Sequence, residues 1–286
     1  MPCWSRRDLL AAGVGVPTAA AAGELPKRKL GRSGIEVTAL GYGCENGDEG
    51  MVRRAAELGI TYFVDVPMLM PDPPRVERPN GFPWLGAALR GRRNRVIISC
   101  GTRANTRDAV FATLDRQLRE SSLDHFDLWY MLAKQKPEEI TPELLEAFRE
   151  AKRQGKIRTI GVSTHGFPAM APMLMRQQTI DVVMVSFNFV AGPPVVDLVK
   201  GVAEAGLGIV AMKPMGGGLA YAMQVNPQGY APLKRPGAFA AALRWVLKHP
   251  FVATAPVRTG KLSELEENRR AVTRVFSEAD EKLLAG

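Results

Sequence analysis

Four side chains able to carry charge or protons follow short apolar runs in this sequence. Asp65 closes Phe63-Val64-Asp65, Arg103 follows Ile97 to Gly101, Lys134 follows Phe126 to Leu132, and His165 follows Thr159 to Ser163. A carboxylate, an amine and an imidazole at such positions are suited to moving protons. A carboxylate left beside apolar surface has its pKa pushed up, and Arg103 or Lys134 is the cation that would reach Asp65 and hold it down. A second chemistry is anion binding. Lys213 with Gly216-Gly217-Gly218, and Arg258-Thr259-Gly260-Lys261, combine cations with glycines whose N–H groups can approach phosphate oxygens. The three cysteines, Cys3, Cys44 and Cys100, form no C-x-x-C and supply no metal framework.

These residues need strand ends to stand on, and the sequence provides them in a repeating order. Apolar β-type runs are Val37 to Gly43, Tyr62 to Val66, Val96 to Cys100, Phe126 to Leu132, Thr159 to Ser163, Val182 to Phe187, Gly208 to Met212 and Phe251 to Val257. Helical patterns lie between them, among them Asn105 to Glu120, Thr141 to Gln154, Val195 to Ala205 and Gly237 to Lys248. Strands alternating with helices are parallel, and runs apolar on both faces are what parallel strands covered by helices require. The expected fold is α/β, a (β/α)8 TIM barrel, preceded by a β-hairpin turning at Ser33-Gly34. An open doubly wound sheet would carry G-x-G-x-x-G after its first strand, whereas Gly41-Tyr42-Gly43-Cys44-Glu45-Asn46 lacks the third glycine.

Composition sets the limits. The chain has 286 residues, 46% of them hydrophobic, with 38 Lys and Arg against 29 Asp and Glu, a net charge of +9. Its basic residues are dispersed, without interleaved aromatics or a groove-reading motif, so no nucleic-acid partner is expected. No stretch of 18 apolar residues occurs, so no membrane span is expected either. Residues 1–23 contain Ser5-Arg6-Arg7-Asp8-Leu9-Leu10, a weakly apolar Ala- and Gly-rich run, and Ala20-Ala21-Ala22. This resembles a twin-arginine export signal and implies a periplasmic protein. Residues 24–286 then form one barrel domain, expected as a monomer acting on a small molecule. Methionines and prolines around the mouth suggest an apolar substrate, with Pro67 to Pro83 read as a rigid loop over the mouth and Pro227 to Pro236, with Tyr230, as a lid.

Several segments, in order, resemble the aldo/keto reductase family and its exported bacterial branch. They are Leu30-Gly31-Arg32-Ser33-Gly34-Ile35-Glu36-Val37, Ala56 to Asp65, Leu123 to Leu128, Gly155 to Ser163, Lys213 to Gly218 and Leu265-Glu266-Glu267-Asn268. The resemblance implies an oxidoreductase binding NADP(H) across the strand ends. It also implies a tetrad of aspartate, tyrosine, lysine and histidine, in which the tyrosine protonates the nascent alkoxide. Asp65 matches the aspartate. The tyrosine, lysine and histidine positions carry Met70, Gly101 and Leu132 instead. By the same resemblance Ser163 and Asn188 would hold the nicotinamide, with Thr164, Met184 and Met212 replacing other anchors there. Glu267 and Asn268 would meet the adenine, and Lys261 or Arg258 a 2′-phosphate. The family's Pro-Gly in that loop is here Val257-Arg258.

Three functions fit this sequence. The first is an NADP-dependent reductase with an atypical acid. The second is a non-catalytic barrel acting as a binding module at the cell envelope. The third is a non-redox lyase or hydrolase using Asp65, Lys134 or His165. Tyr130 is no substitute acid, since two residues before its strand end it points into the barrel.

Overall fold

The computed structural model describes residues 24–44, 48–65 and 85–285. Residues 1–23, expected as an export signal, together with Met70 and the Pro67 to Pro83 segment, lie outside the described residues.

The hairpin comes first. β1 (Lys27–Lys29) pairs antiparallel with β2 (Glu36–Thr38). Gly34 takes the left-handed φ of 72° that the turn needs, and Ser33 Oγ donates to the Leu30 carbonyl at 2.6 Å. Leu30 and Val37 are fully buried among side chains of the barrel interior, so the hairpin supplies that core with two apolar residues. Arg28 secures it, donating to the carbonyls of Leu247, Val252 and His249 at 2.7, 2.6 and 3.1 Å.

Eight parallel strands follow: β3 (Leu40–Gly43), β4 (Tyr62–Val64), β5 (Ile97–Thr102), β6 (Phe126–Met131), β7 (Ile157–Thr164), β8 (Val182–Ser186), β9 (Gly208–Met212) and β10 (Val252–Val257). They close in sequence order, β10 pairing with β3. The helices are α1 (Glu49–Glu57), α2 (Leu85–Ala88), α3 (Arg107–Ser121), α4 (Pro142–Arg153), α5 (Phe167–Arg176), α6 (Pro193–Glu204), α7 (Leu219–Val225), α8 (Ala238–Leu247), α9 (Leu262–Val272) and α10 (Glu278–Ala285). All eight expected strands are present, the third running on to Thr102. Helix boundaries differ by one or two residues, for local reasons. Thr141 caps α4 by accepting from Leu144 N–H, and α6 begins at Pro193, where a missing N–H costs nothing. No helix among the described residues is long and apolar enough to cross a membrane.

Alternate strand residues face two cores. Phe63, Ile98, Cys100, Trp129, Met131, Val183 and Ile209 pack outward against the helices, and Cys44 joins them. Tyr62, Val64, Leu128, Tyr130, Leu132, Val182, Met184 and Val210 fill the inside. Tyr130 points inward, as its position two residues before the strand end implies, and its hydroxyl shares a 2.9 Å hydrogen bond with that of Tyr62. A third, smaller cluster around Tyr230, Ala238, Ala241, Ala242 and Leu284 underlies the segment after β9.

Candidate functional site

Every candidate catalytic residue lies just past the carboxyl end of a strand, on the rim where barrels of this kind place their chemistry. Asp65 directly follows β4, is 4% exposed, and donates its N–H to the Ser99 carbonyl at 2.9 Å. Arg103 follows β5, Lys134 follows β6 and His165 follows β7.

The structure assembles three of these four. The Arg103 guanidinium depresses the pKa of both Lys134 and His165, in each case added to the larger effect of burial, and Lys213 acts on His165 in the same direction. Glu139 is the opposing charge on Lys134. The Lys134 ammonium donates to Asn105 Oδ1, and its N–H donates to the Ser163 carbonyl at 3.0 Å. Arg103, Glu139 and Asn105 lie around Lys134, and Ala133, with a φ of 57°, turns the chain after Leu132. The Gly101 and Leu132 positions are packed shut. A Cβ on Gly101 would lie 2.6 Å from the Tyr130 carbonyl and 2.8 Å from Leu132 Cγ.

The anion-binding candidates lie on the other arc of the rim, on loops leaving the paired strands β9 and β10. Gly216, Gly217 and Gly218 all have left-handed φ, at 71°, 84° and 95°, and a Cβ on Gly218 would meet nothing within 4 Å. Lys213, itself at φ 55°, donates to Tyr221 Oη at 2.7 Å. Arg258 and Lys261 are exposed, and Lys261 Nζ sits 3.1 Å from Glu264. Thr259 anchors this loop. Its hydroxyl donates to Glu264 at 2.6 Å, and its carbonyl accepts from Tyr42 Oη at 2.7 Å. Glu264 is held below the usual carboxylate range by its hydrogen bonds from Thr259 and Lys261.

The chain belongs to the aldo/keto reductase family. The family model matches residues 49–238. Among curated relatives, the uncharacterized oxidoreductase YqkF of Bacillus subtilis is 24% identical over 86% of this chain and 90% of its own length. L-galactose dehydrogenase of Arabidopsis thaliana is 24% identical over 87% of this chain and 89% of its own. The holo form of aldo-keto reductase AKR11C1 from Bacillus halodurans superposes with a TM-score of 0.71 at 23% identity, covering 92% of this chain and 96% of that one.

On this aldo/keto reductase scaffold the remaining expected residues divide. Ser163, at the end of β7, is 5% exposed. Asn188 is tied to its own loops: Nδ2 donates to the Lys213 carbonyl at 3.2 Å, while Oδ1 accepts from Tyr230 Oη at 3.2 Å and Val190 N–H at 3.3 Å. On α9, Asn268 is buried and Glu267 faces solvent. Sequence reading missed Tyr42, Tyr221 and Glu264. Each acts through a loop distant in the chain or one turn away, and only spacing within α9, three residues from Lys261 to Glu264, offered a signal. The Pro227 to Pro236 stretch, expected as a lid, is a short turn whose Tyr230 is 7% exposed and rooted in the smaller core.

Proposed function

We propose that this aldo/keto reductase is an oxidoreductase that binds NADP(H) along the β9 and β10 side of the rim and works with an atypical proton donor. The single observation carrying the cofactor reading is the Gly216-Gly217-Gly218 turn. Three successive left-handed glycines, open at Gly218, lie on the loop next to the one bearing Arg258 and Lys261. That arrangement suits a diphosphate, which backbone N–H groups approach closely and cations neutralise. Ser163 would hold the nicotinamide end, while Asn268 and Glu267 on α9 would flank the adenine. The cofactor, when bound, supplies hydride chemistry.

With Gly101 and Leu132 in tight contact, Lys134 and His165 are the proton-bearing candidates among the described residues of the β5–β7 arc, and Asp65 is the candidate carboxylate. Burial and neighbouring cations lower both Lys134 and His165, which brings an ammonium nearer to neutral pH as a proton donor. Titration of the purified chain with NADPH, followed by tryptophan fluorescence, tests this reading. Saturable binding supports it, and no binding at high micromolar concentration overturns it. A second reading, a barrel that binds the cofactor without turnover, is favoured by the closed Gly101 position. It predicts NADPH binding with no oxidation across a panel of carbonyl compounds. The Arg6-Arg7 leader directs this protein to the periplasm as a monomer in our proposal, and retention in the cytoplasm after Arg6→Lys with Arg7→Lys is the expected result.

A further inference from the structure

We infer that the β5–β7 arc of the rim is an oxyanion subsite, and that the substrate is a carbonyl compound bearing a carboxylate. The substrate clause rests on the oxidoreductase reading above, whereas the subsite itself does not. Three adjacent strands deliver the groups. Thr102 of β5 pairs with Met131 of β6, and Met131 with Val162 of β7, so Arg103, Lys134 and His165 follow the ends of three neighbouring strands, one, three and three residues past that row.

Among the described residues neither Arg103 nor Lys134 has an ion pair within 4 Å, and Glu139 opposes the charge of Lys134 only from farther away. Arg244 is paired with Asp280, and Asp127, 1% exposed, accepts from Arg93 at 2.7 Å. The buried Arg103 Nε has no hydrogen-bond partner among the described residues, a state it shares with the Nε of Arg32 and Arg93, whose guanidinium ends are however held by Ile180 and Asp127. Lys134, 4% exposed, gives its ammonium to a neutral amide, and Glu139 accepts the Gln135 N–H at 2.7 Å. An unsatisfied guanidinium N–H and a buried ammonium are costly unless an anion completes them. Ala133 adds a strained backbone immediately before Lys134, the kind of expense found where a side chain is being aimed. Burial first, and then neighbouring positive charge, lowers the pKa of Lys134 and His165. In strand order β5 and β6 lie across the barrel from β9 and β10, so the anion held by Arg103 and Lys134 is distinct from the cofactor diphosphate, while His165 on the nearer β7 also feels Lys213. Among the described residues this arc of the rim is therefore cationic.

The test compares two probes of the same framework, 4-acetylbenzoate and its neutral methyl ester, by calorimetric titration of the purified chain without nicotinamide. The carboxylate is expected to bind at least tenfold more tightly than the ester. Arg103→Gln and Lys134→Gln are each expected to remove that advantage, Arg103→Lys to retain part of it, and all three to keep wild-type far-UV circular dichroism and Tm. Equal binding of acid and ester overturns the proposal, as does undiminished binding of the acid by both Gln variants. Displacement of the acid by ADP-ribose, together with weaker ADP-ribose binding in Arg103→Gln, also overturns it by assigning these cations to the cofactor. NADPH titrated in parallel separates the two readings. Acid binding without NADPH binding sinks the cofactor reading alone, and the reverse sinks the subsite alone.

Discussion

The ring of Tyr130 occupies the space that Gly161 leaves open on the neighbouring strand: a Cβ at Gly161 would lie 2.5 Å from Tyr130 Cδ1 and 2.6 Å from Cε1. On the other side, Gly101 pairs with the same tyrosine. One phenol ring between two glycines thus fills a whole layer of the barrel, and its hydroxyl ends on Tyr62, which in turn lies 2.9 Å from Ser99 Oγ. Burial, reinforced by Tyr62, pushes the Tyr130 phenol well above its ordinary pKa, so it stays protonated as a structural donor.

Gly161→Ala must therefore move a ring that has no free volume to enter. Overpacking of this kind costs about 1–3 kcal/mol. The expected outcome is a Tm lowered by roughly 2–4 °C per kcal/mol, read by thermal unfolding. An unchanged Tm would show that the ring can shift without cost.

Asp127→Ala should be the more damaging change at the opposite end of the barrel. Asp127 begins β6 and accepts from Arg93 at 2.7 Å, from Ile98 N–H at 2.9 Å and from Arg158 at 3.1 Å. Its removal leaves a partly buried guanidinium and a buried N–H uncompensated, a loss of about 3–5 kcal/mol. Urea unfolding should report that loss. NADPH affinity of the folded fraction should not change, because this cluster lies at the amino ends of the strands.

The barrel was legible because each strand is apolar on both faces, a pattern helices alone do not explain, and the hairpin because Ser33-Gly34 can form only a turn there. The rim was legible only as a set of positions. Arg103 and Lys134 read as partners for Asp65, since sequence spacing places all three at strand ends but not the direction of the turn at Ala133. Asn188 read as a cofactor ligand because its identity matches. Its partner Tyr230 is 42 residues away, beyond any local pattern. The Pro227 to Pro236 stretch read as a lid from its prolines, yet the aromatic between them decides its fate by burying itself.

Stability should fall in acid through His249 first. This imidazole packs edge-on to Phe187 and Trp245 and tilted against Phe251, with ring centroids 5.3, 4.8 and 5.1 Å away. Burial, then the charges of Lys248 and Arg28, lowers its pKa to about 4. Unfolded, it titrates near 6.5, so between those two values the unfolded chain holds the extra proton and the folded chain does not. Its contribution is complete above pH 6.5 and is lost as pH falls toward 4, on the order of 2 kcal/mol after allowance for partial solvent contact. Asp280, lowered to about 2 chiefly by Arg244, acts only in the window below its ordinary 3.8. Urea unfolding measured from pH 4 to 8 should slope in the wild type and flatten in His249→Phe.

Glu264 should set the preference between the two nicotinamide dinucleotides. Its carboxylate already neutralises Lys261 at 3.1 Å and accepts from Thr259 at 2.6 Å, in the first turn of α9, where a 2′-phosphate would also seek positive charge. A 2′-phosphate arriving there meets a like charge, whereas a 2′-hydroxyl does not. Glu264→Gln keeps the side chain's length and its acceptor for Thr259 while releasing the lysine. At this exposure the change is worth on the order of 1 kcal/mol, about fivefold in affinity. Fluorescence titration should accordingly show NADPH binding tightened about fivefold and NADH binding unaltered. Equal changes for both cofactors would place the 2′ position elsewhere on the rim and remove Lys261 from the site.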